Sequence, residues 1–90
     1  MNNLNDWEII KLNTGIAIRK KYVFKSFKKA MQFMYELTSY INQMQHHPTW
    51  ENTWRTVVVT LTTWDIGNRV TIWDIEMAKH FDEFYKNNFL

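Results

Sequence analysis

SFKKAMQFMYELTSYINQMQHHP, residues 26–48, reads as one long amphipathic helix with a start signal and a stop signal. Phe27, Ala30, Met31, Met34, Leu37, Ile41 and Met44 recur in steps of three and four, the spacing of a single helical stripe. Phe33 and Tyr40 widen it. Ser26 is a favourable N-cap, because its hydroxyl can accept from an amide of the first turn. At the other end Pro48 disfavours helical geometry at His47, so the helix should run from 27 to about 44. Two adjacent histidines, His46 and His47, then stand just past the helix exit.

Working outward, WEIIKL (7–12) and IAIRKKYVF (16–24) have β-like patterns, and NTG (13–15) between them is a turn signal; together they read as an antiparallel hairpin. Downstream, PTWENTWRTVVVTLTT is a second β region. Val57, Val59 and Leu61 share one face, while Thr56, Val58, Thr60 and Thr62 share the other. ENT (51–53) is the expected turn between a short strand and this longer one. DIGN marks a loop, and TIWD (71–74) has the logic of a capping box, with Thr71 as cap and Asp74 at the third position. Ile75, Ala78, Phe81 and Tyr85 continue a stripe toward the end of the chain. The order β-β-α-β-β-α predicts a two-layer α+β domain spanning 1–90, a four-stranded antiparallel sheet covered on one face by helices.

Composition narrows the class. Ninety residues suit one small domain, and an apolar fraction of 46% with 17% aromatics is too high for a disordered chain. Eleven basic against nine acidic residues leave a net charge of +2, which does not mark a nucleic-acid protein. The absence of cysteine excludes disulfides, thiolate metal sites and a cysteine nucleophile. MNNLNDWEII lacks a basic region followed by an apolar run, and no apolar stretch is long enough to span a bilayer, so the expected address is the cytosol. A core this small favours self-association, as a homodimer or homotetramer.

His46 lies where helix C-terminal carbonyls favour a cation, and imidazoles exchange protons near neutral pH, as general acid–base catalysis requires. The plainer reading is a surface histidine capping a helix. A metal site would need His46, His47 and His80 with no cysteine and no ordered carboxylate spacing, so none is expected. For Trp50, Trp54, Trp64 and Trp73 the expected roles are core packing and a subunit interface, with one or two forming a flat wall for a planar heterocycle. RKKY and KSFKK read as a solvated face.

Taken as an ordered set, these residues resemble the pterin-4a-carbinolamine dehydratase family over nearly the whole chain. YVFKSFKKAMQFM (22–34) is similar to the family's aromatic-rich helix start through Phe24, Phe27, Ala30 and Phe33. His46-His47-Pro48 matches its hallmark; Trp54, Trp64 and Asp74 match positions that follow, and Trp7 matches the tryptophan of the first strand. The resemblance implies a cofactor-independent dehydration of 4a-hydroxytetrahydropterins to quinonoid dihydropterins. His46 would be the acid/base residue and His47 would bind and orient the pterin. Pro48 would fix the turn, and Asn42, Trp54, Trp64 and Asp74 would border the site. The chain departs from the pattern at Trp64, where the family usually has a third histidine, and at Asn42, where an ionisable residue is common. An indole donates one N–H and cannot shuttle protons. The alternative implied by the same resemblance is a pterin-binding or protein-interaction module, coactivator-like, in which catalysis is weakened.

Overall fold

The computed structural model describes residues 4–90. A short 3₁₀ turn, Leu4–Asp6, leads into β1 (Glu8–Lys11) and β2 (Ile16–Val23); α1 (Phe27–Met44) follows, then β3 (Thr49–Thr53) and β4 (Thr56–Leu61), a second 3₁₀ turn (Trp64–Ile66) and α2 (Ile72–Phe89). All neighbouring strands are antiparallel, in the spatial order β1-β2-β4-β3. The α+β architecture and element order are those expected from the periodicities.

The long helix begins and ends where its signals place it. Ser26 Oγ accepts from the Lys29 amide at 3.1 Å. At the exit Gln45 adopts a left-handed backbone (φ 52°) and its N–H donates to the Asn42 carbonyl. Glycine is the usual residue for that conformation; here the chain uses glutamine, and the reversal aims the next residues away from the helix axis.

The β3–β4 turn lies two residues later than ENT suggested. Glu51, Asn52 and Thr53 belong to β3, and the two-residue turn is Trp54–Arg55, closed by the Thr53–Thr56 pair. Asn52 acts from within the strand: its side-chain amide donates to the carbonyls of Trp54 and Thr56, both at 3.0 Å. A turn-forming residue type is therefore present, but it braces the turn rather than sitting in it.

Helices cover one face of the sheet. Val57, Val59 and Leu61 of β4 are fully buried, while the alternate Thr56, Val58 and Thr60 are half-buried on the opposite face. Ala30, Phe33, Leu37 and Ile41 from α1 and Met77, Ala78, Phe81 and Phe89 from α2 close the core. Phe33 is its centre, with ring centroids 5.0 Å from Tyr22 and Phe24 and 6.1 Å from Phe81. Met77 takes a place in the α2 stripe that Ile75, half-buried, was expected to hold. One turn before Met77 and Ala78 on the same stripe stands Asp74, fully buried.

Of the clustered tryptophans, Trp50 packs against the core and the other three do not. Trp54, Trp64 and Trp73 are 68%, 71% and 53% exposed. Trp50 is half-buried with its ring 6.1 Å from Phe81. Their positions explain this: Trp54 occupies a turn, Trp64 a 3₁₀ turn, and Trp73 the solvent side of the first turn of α2. The core tryptophan is Trp7, whose indole N–H donates to Asp82 at 3.0 Å. Among the described residues no helix is long and apolar enough to cross a membrane.

Candidate active site

The left-handed Gln45 and the extended segment up to Pro48 send the two imidazoles in different directions, as adjacent residues of an extended chain must go. His46 turns inward. Its Nε2 lies 2.6 Å from Asp74 Oδ1, with 13% of the histidine side chain exposed and none of the aspartate. Asp74 reaches this place because α2 points its first core-facing position at the end of α1. A buried carboxylate must be hydrogen-bonded, and this one is. Its Oδ2 accepts from the Thr71 backbone N–H at 2.9 Å and from the Thr63 hydroxyl at 2.8 Å. The Thr71 bond is half of the capping box anticipated in TIWD.

A carboxylate accepts but cannot donate, so the 2.6 Å contact places a proton on His46 Nε2. In the neutral imidazole Nδ1 is then the nitrogen with a free lone pair, and it is the atom able to take up or release a proton.

His47 turns outward. Its Nε2 is 3.2 Å from the Oδ1 of Asn42 on the last turn of α1. The ring lines a cavity of about 390 Å³ on the sheet face opposite the core. Ile10 and Leu12 from the first hairpin form the apolar floor, Thr49, Thr60 and Thr62 supply hydroxyls, and Trp64 and Asn68 form the far rim. Trp64 and the preceding Thr63 repeat the division seen in the histidines: Thr63 faces Asp74, Trp64 faces the cavity.

The rim is held by a clasp between two turns. The Ile16 N–H donates to the Asn68 carbonyl at 2.8 Å, and the Asn68 side-chain amide donates to the Thr14 carbonyl at 2.7 Å. Gly15 makes the approach possible. A Cβ there would lie 2.0 Å from the Asn68 carbonyl oxygen and 2.5 Å from that of Gly67.

The structure thus makes two neighbouring groups, His46 with Asp74, and His47 with Asn42 and with Trp64 on the same cavity, and half-buried Pro48 follows directly on the histidines. Trp54 is not brought to the site. It stands at the far end of the β3–β4 hairpin, roughly 20 Å along the strand from Pro48 at ~3.3 Å per residue, under the guanidinium of Arg55 at 4.8 Å. His80 is also elsewhere, stacked on Tyr40 at 3.6 Å, and burial lowers its pKa from the ordinary value. Among the described residues no group of three or more His, Asp or Glu is arranged to hold a metal ion. The threonines of β4 and Asn68 were not singled out from the sequence. The alternation in TVVVTLTT carried a signal for the former, since it puts hydroxyls on the face the helices leave open. A larger groove, about 790 Å³, runs along β2 and α2 past Lys20 and Asp82. Asp82 is engaged there by Trp7, Lys20 (2.8 Å) and the Tyr22 hydroxyl (2.5 Å).

An imidazole backed by a buried carboxylate, beside a second imidazole on a cavity with one aromatic wall, is the equipment of an acid–base enzyme acting on a small flat molecule. Residues 1–84 match the family described as Pterin 4 alpha carbinolamine dehydratase. The chain belongs to that family, a family of hydro-lyases. It is 38% identical over 82 residues to a protein of Mesorhizobium japonicum named as a pterin-4-alpha-carbinolamine dehydratase, covering 91% of this chain and 81% of the relative. It is 40% identical over 67 residues to one of Opitutus terrae, covering 74% and 69%. The crystal structure of a transcriptional coactivator/pterin dehydratase from Brucella melitensis superimposes with a TM-score of 0.78 at 34% identity, covering 88% of this chain and 81% of that one.

Proposed function

We propose that this chain dehydrates a 4a-hydroxytetrahydropterin to the quinonoid dihydropterin by histidine acid–base catalysis. In this reaction the C4a–O bond breaks, the departing hydroxyl takes a proton and leaves as water, and a ring nitrogen gives up a proton; no electrons are exchanged with a cofactor. Two proton transfers on adjacent atoms call for one donor and one acceptor, and imidazoles fill both roles near neutral pH. The observation that carries the proposal is the His46–Asp74 contact at 2.6 Å, one residue along the chain from His47, which lines the cavity. His46 Nδ1 moves a proton at the reacting centre, and Asp74 stabilises the imidazolium as it forms. His47, held by Asn42, faces the ligand and orients it. Trp64 supplies a flat wall against which a bicyclic heterocycle stacks.

The test is a coupled assay in which a hydroxylase generates the carbinolamine in place. His46→Ala should lower turnover roughly a hundredfold, within the usual range for an acid–base group. Wild type performing no better than His46→Ala would sink the enzyme reading.

A second reading is a pterin-binding or interaction module with weakened catalysis. It is favoured by the indole of Trp64 where a third imidazole would stand, and by uncharged Asn42 beside His47. Calorimetry with a dihydropterin separates the two: both bind, but only the enzyme turns over. Self-association as a homodimer or homotetramer is part of the proposal, since Trp73, Ile66 and Ile72 are exposed apolar side chains close in sequence to the site.

A further inference from the structure

We propose that Thr63 is a positioning residue for the His46–Asp74 pair, acting through its hydroxyl. The inference rests on the reading that His46 exchanges protons, and it gives a role to a residue to which the resemblance assigned none.

The argument begins with the protons. Thr63 Oγ1 is 2.8 Å from Asp74 Oδ2 and 2.7 Å from Thr71 Oγ1, and Thr71 Oγ1 is 3.4 Å from the same carboxylate oxygen. Each hydroxyl has one proton to give. The short contact to the carboxylate belongs to Thr63, so Thr63 donates to Asp74 and Thr71 donates to Thr63. The reverse arrangement would put the only hydroxyl donor to a buried carboxylate at 3.4 Å, well beyond the favoured O–H···O range. Thr63 cannot readily swing away. Its backbone N–H donates to the Arg69 carbonyl at 2.8 Å and its carbonyl accepts from the Arg69 N–H at 3.2 Å.

The remaining short bond to Oδ2, from the Thr71 N–H, comes from the N-terminus of Asp74's own helix and fixes the carboxylate to that helix alone. Thr63 is the donor to Oδ2 from outside the helix. It sets the rotation of the carboxylate about its last side-chain bond, and hence the distance and angle at which Oδ1 meets His46 Nε2. It also precedes Trp64, so a single pair of residues ties the cavity rim to the acid–base pair. Thr63 itself does not line the cavity, so its loss should act on turnover rather than on substrate affinity.

The experiment compares Thr63→Val, Thr63→Ala and Thr63→Ser by steady-state kinetics and by the ring ¹⁵N signals of His46 at a pH where the imidazole is neutral. Removing one hydrogen bond to a charged group predicts a fall in kcat of about tenfold to a hundredfold in Thr63→Val and Thr63→Ala. KM should stay within about twofold, in line with uniform binding being untouched. The wild-type ring signals should show the Nε2–H tautomer, the two hydroxyl-less variants a mixture, and Thr63→Ser the wild-type pattern with turnover restored. Unchanged kcat and tautomer in either hydroxyl-less variant that folds would overturn the proposal. So would Thr63→Ser being as damaged as Thr63→Val, because the methyl rather than the hydroxyl would then be what matters. If wild type shows no turnover above His46→Ala, the catalytic reading fails, yet the tautomer comparison still decides the role of Thr63.

Discussion

Asp74 occupies a helix position that a core side chain would ordinarily fill. Its neighbours on the stripe, Met77, Ala78 and Phe81, are all fully buried and apolar. The carboxylate is tolerated because each oxygen is paired: Oδ1 with His46, and Oδ2 with Thr71 and Thr63. Asp74→Asn keeps the shape and removes the charge. The amide can present either its oxygen or its NH₂ group to His46 Nε2, so the tautomer is no longer dictated. Turnover in the coupled assay should fall by roughly a hundredfold or more, as it does when a histidine loses its orienting carboxylate. Stability in urea should fall by about 1–3 kcal/mol, the cost of imperfectly satisfied buried polar groups. Retained turnover in Asp74→Asn would remove Asp74 from the mechanism. In the sequence this residue was visible twice over, as the third position of a capping box and through the family resemblance. What the sequence did not display was its burial, because the α2 stripe was phased on Ile75 rather than on Met77.

At the level of elements, the site is made where two turns meet. Leu12–Gly15 closes the first hairpin and residues 64–70 connect β4 to α2; they are distant in sequence and joined by the bonds Ile16–Asn68 and Asn68–Thr14. Gly15 has φ 84° and no room for a Cβ against the Asn68 and Gly67 carbonyls. Gly15→Ala should therefore push the 64–70 loop off the hairpin. It should cost more than about 1 kcal/mol in a denaturant titration, the scale of a substitution at an incompatible φ, and raise the KM for the pterin as Trp64 and Asn68 leave the rim. An unchanged KM would show that the clasp does not shape the binding site. Both turns were legible from NTG and DIGN as local signals, but their contact was not. Periodicity and turn chemistry report on neighbours in sequence, and nothing in Asn68 itself announces a partner more than fifty residues away. The place of Trp54 was not legible for a related reason. The resemblance put it at the border of the site, but the five residues of β3 carry the chain from the histidines to the turn where Trp54 stands.

For the whole molecule, two ionisable groups that play no part in the proposed chemistry, His80 on the surface of α2 and the buried Tyr22, make stability depend on pH. His80 is stacked on Tyr40 between the helices, and burial lowers its pKa from 6.5 despite the opposing influence of Glu83. Below pH 6.5 the unfolded chain takes up a proton at His80 that the folded chain resists. Stability from this group is thus complete above about 6.5 and declines as pH falls through that value. Tyr22 behaves in the opposite sense. Burial, reinforced by its hydrogen bond to Asp82 and the negative charge there, holds its pKa far above the ordinary 10.0. Above pH 10 the unfolded chain releases a proton that the folded chain retains, so stability declines as pH rises through 10. The urea midpoint should accordingly be flat between about pH 7 and 9.5 and fall on both sides. His80→Gln should flatten the acid limb while leaving the alkaline limb in place; Tyr22→Phe should leave the acid limb and weaken the alkaline one, the rest of which belongs to Tyr40, whose pKa burial also raises. Tyr22→Phe leaves Asp82 paired with Trp7 and Lys20, so that variant keeps a satisfied carboxylate and reads the phenol alone. An acid limb unchanged in His80→Gln would assign it to other groups.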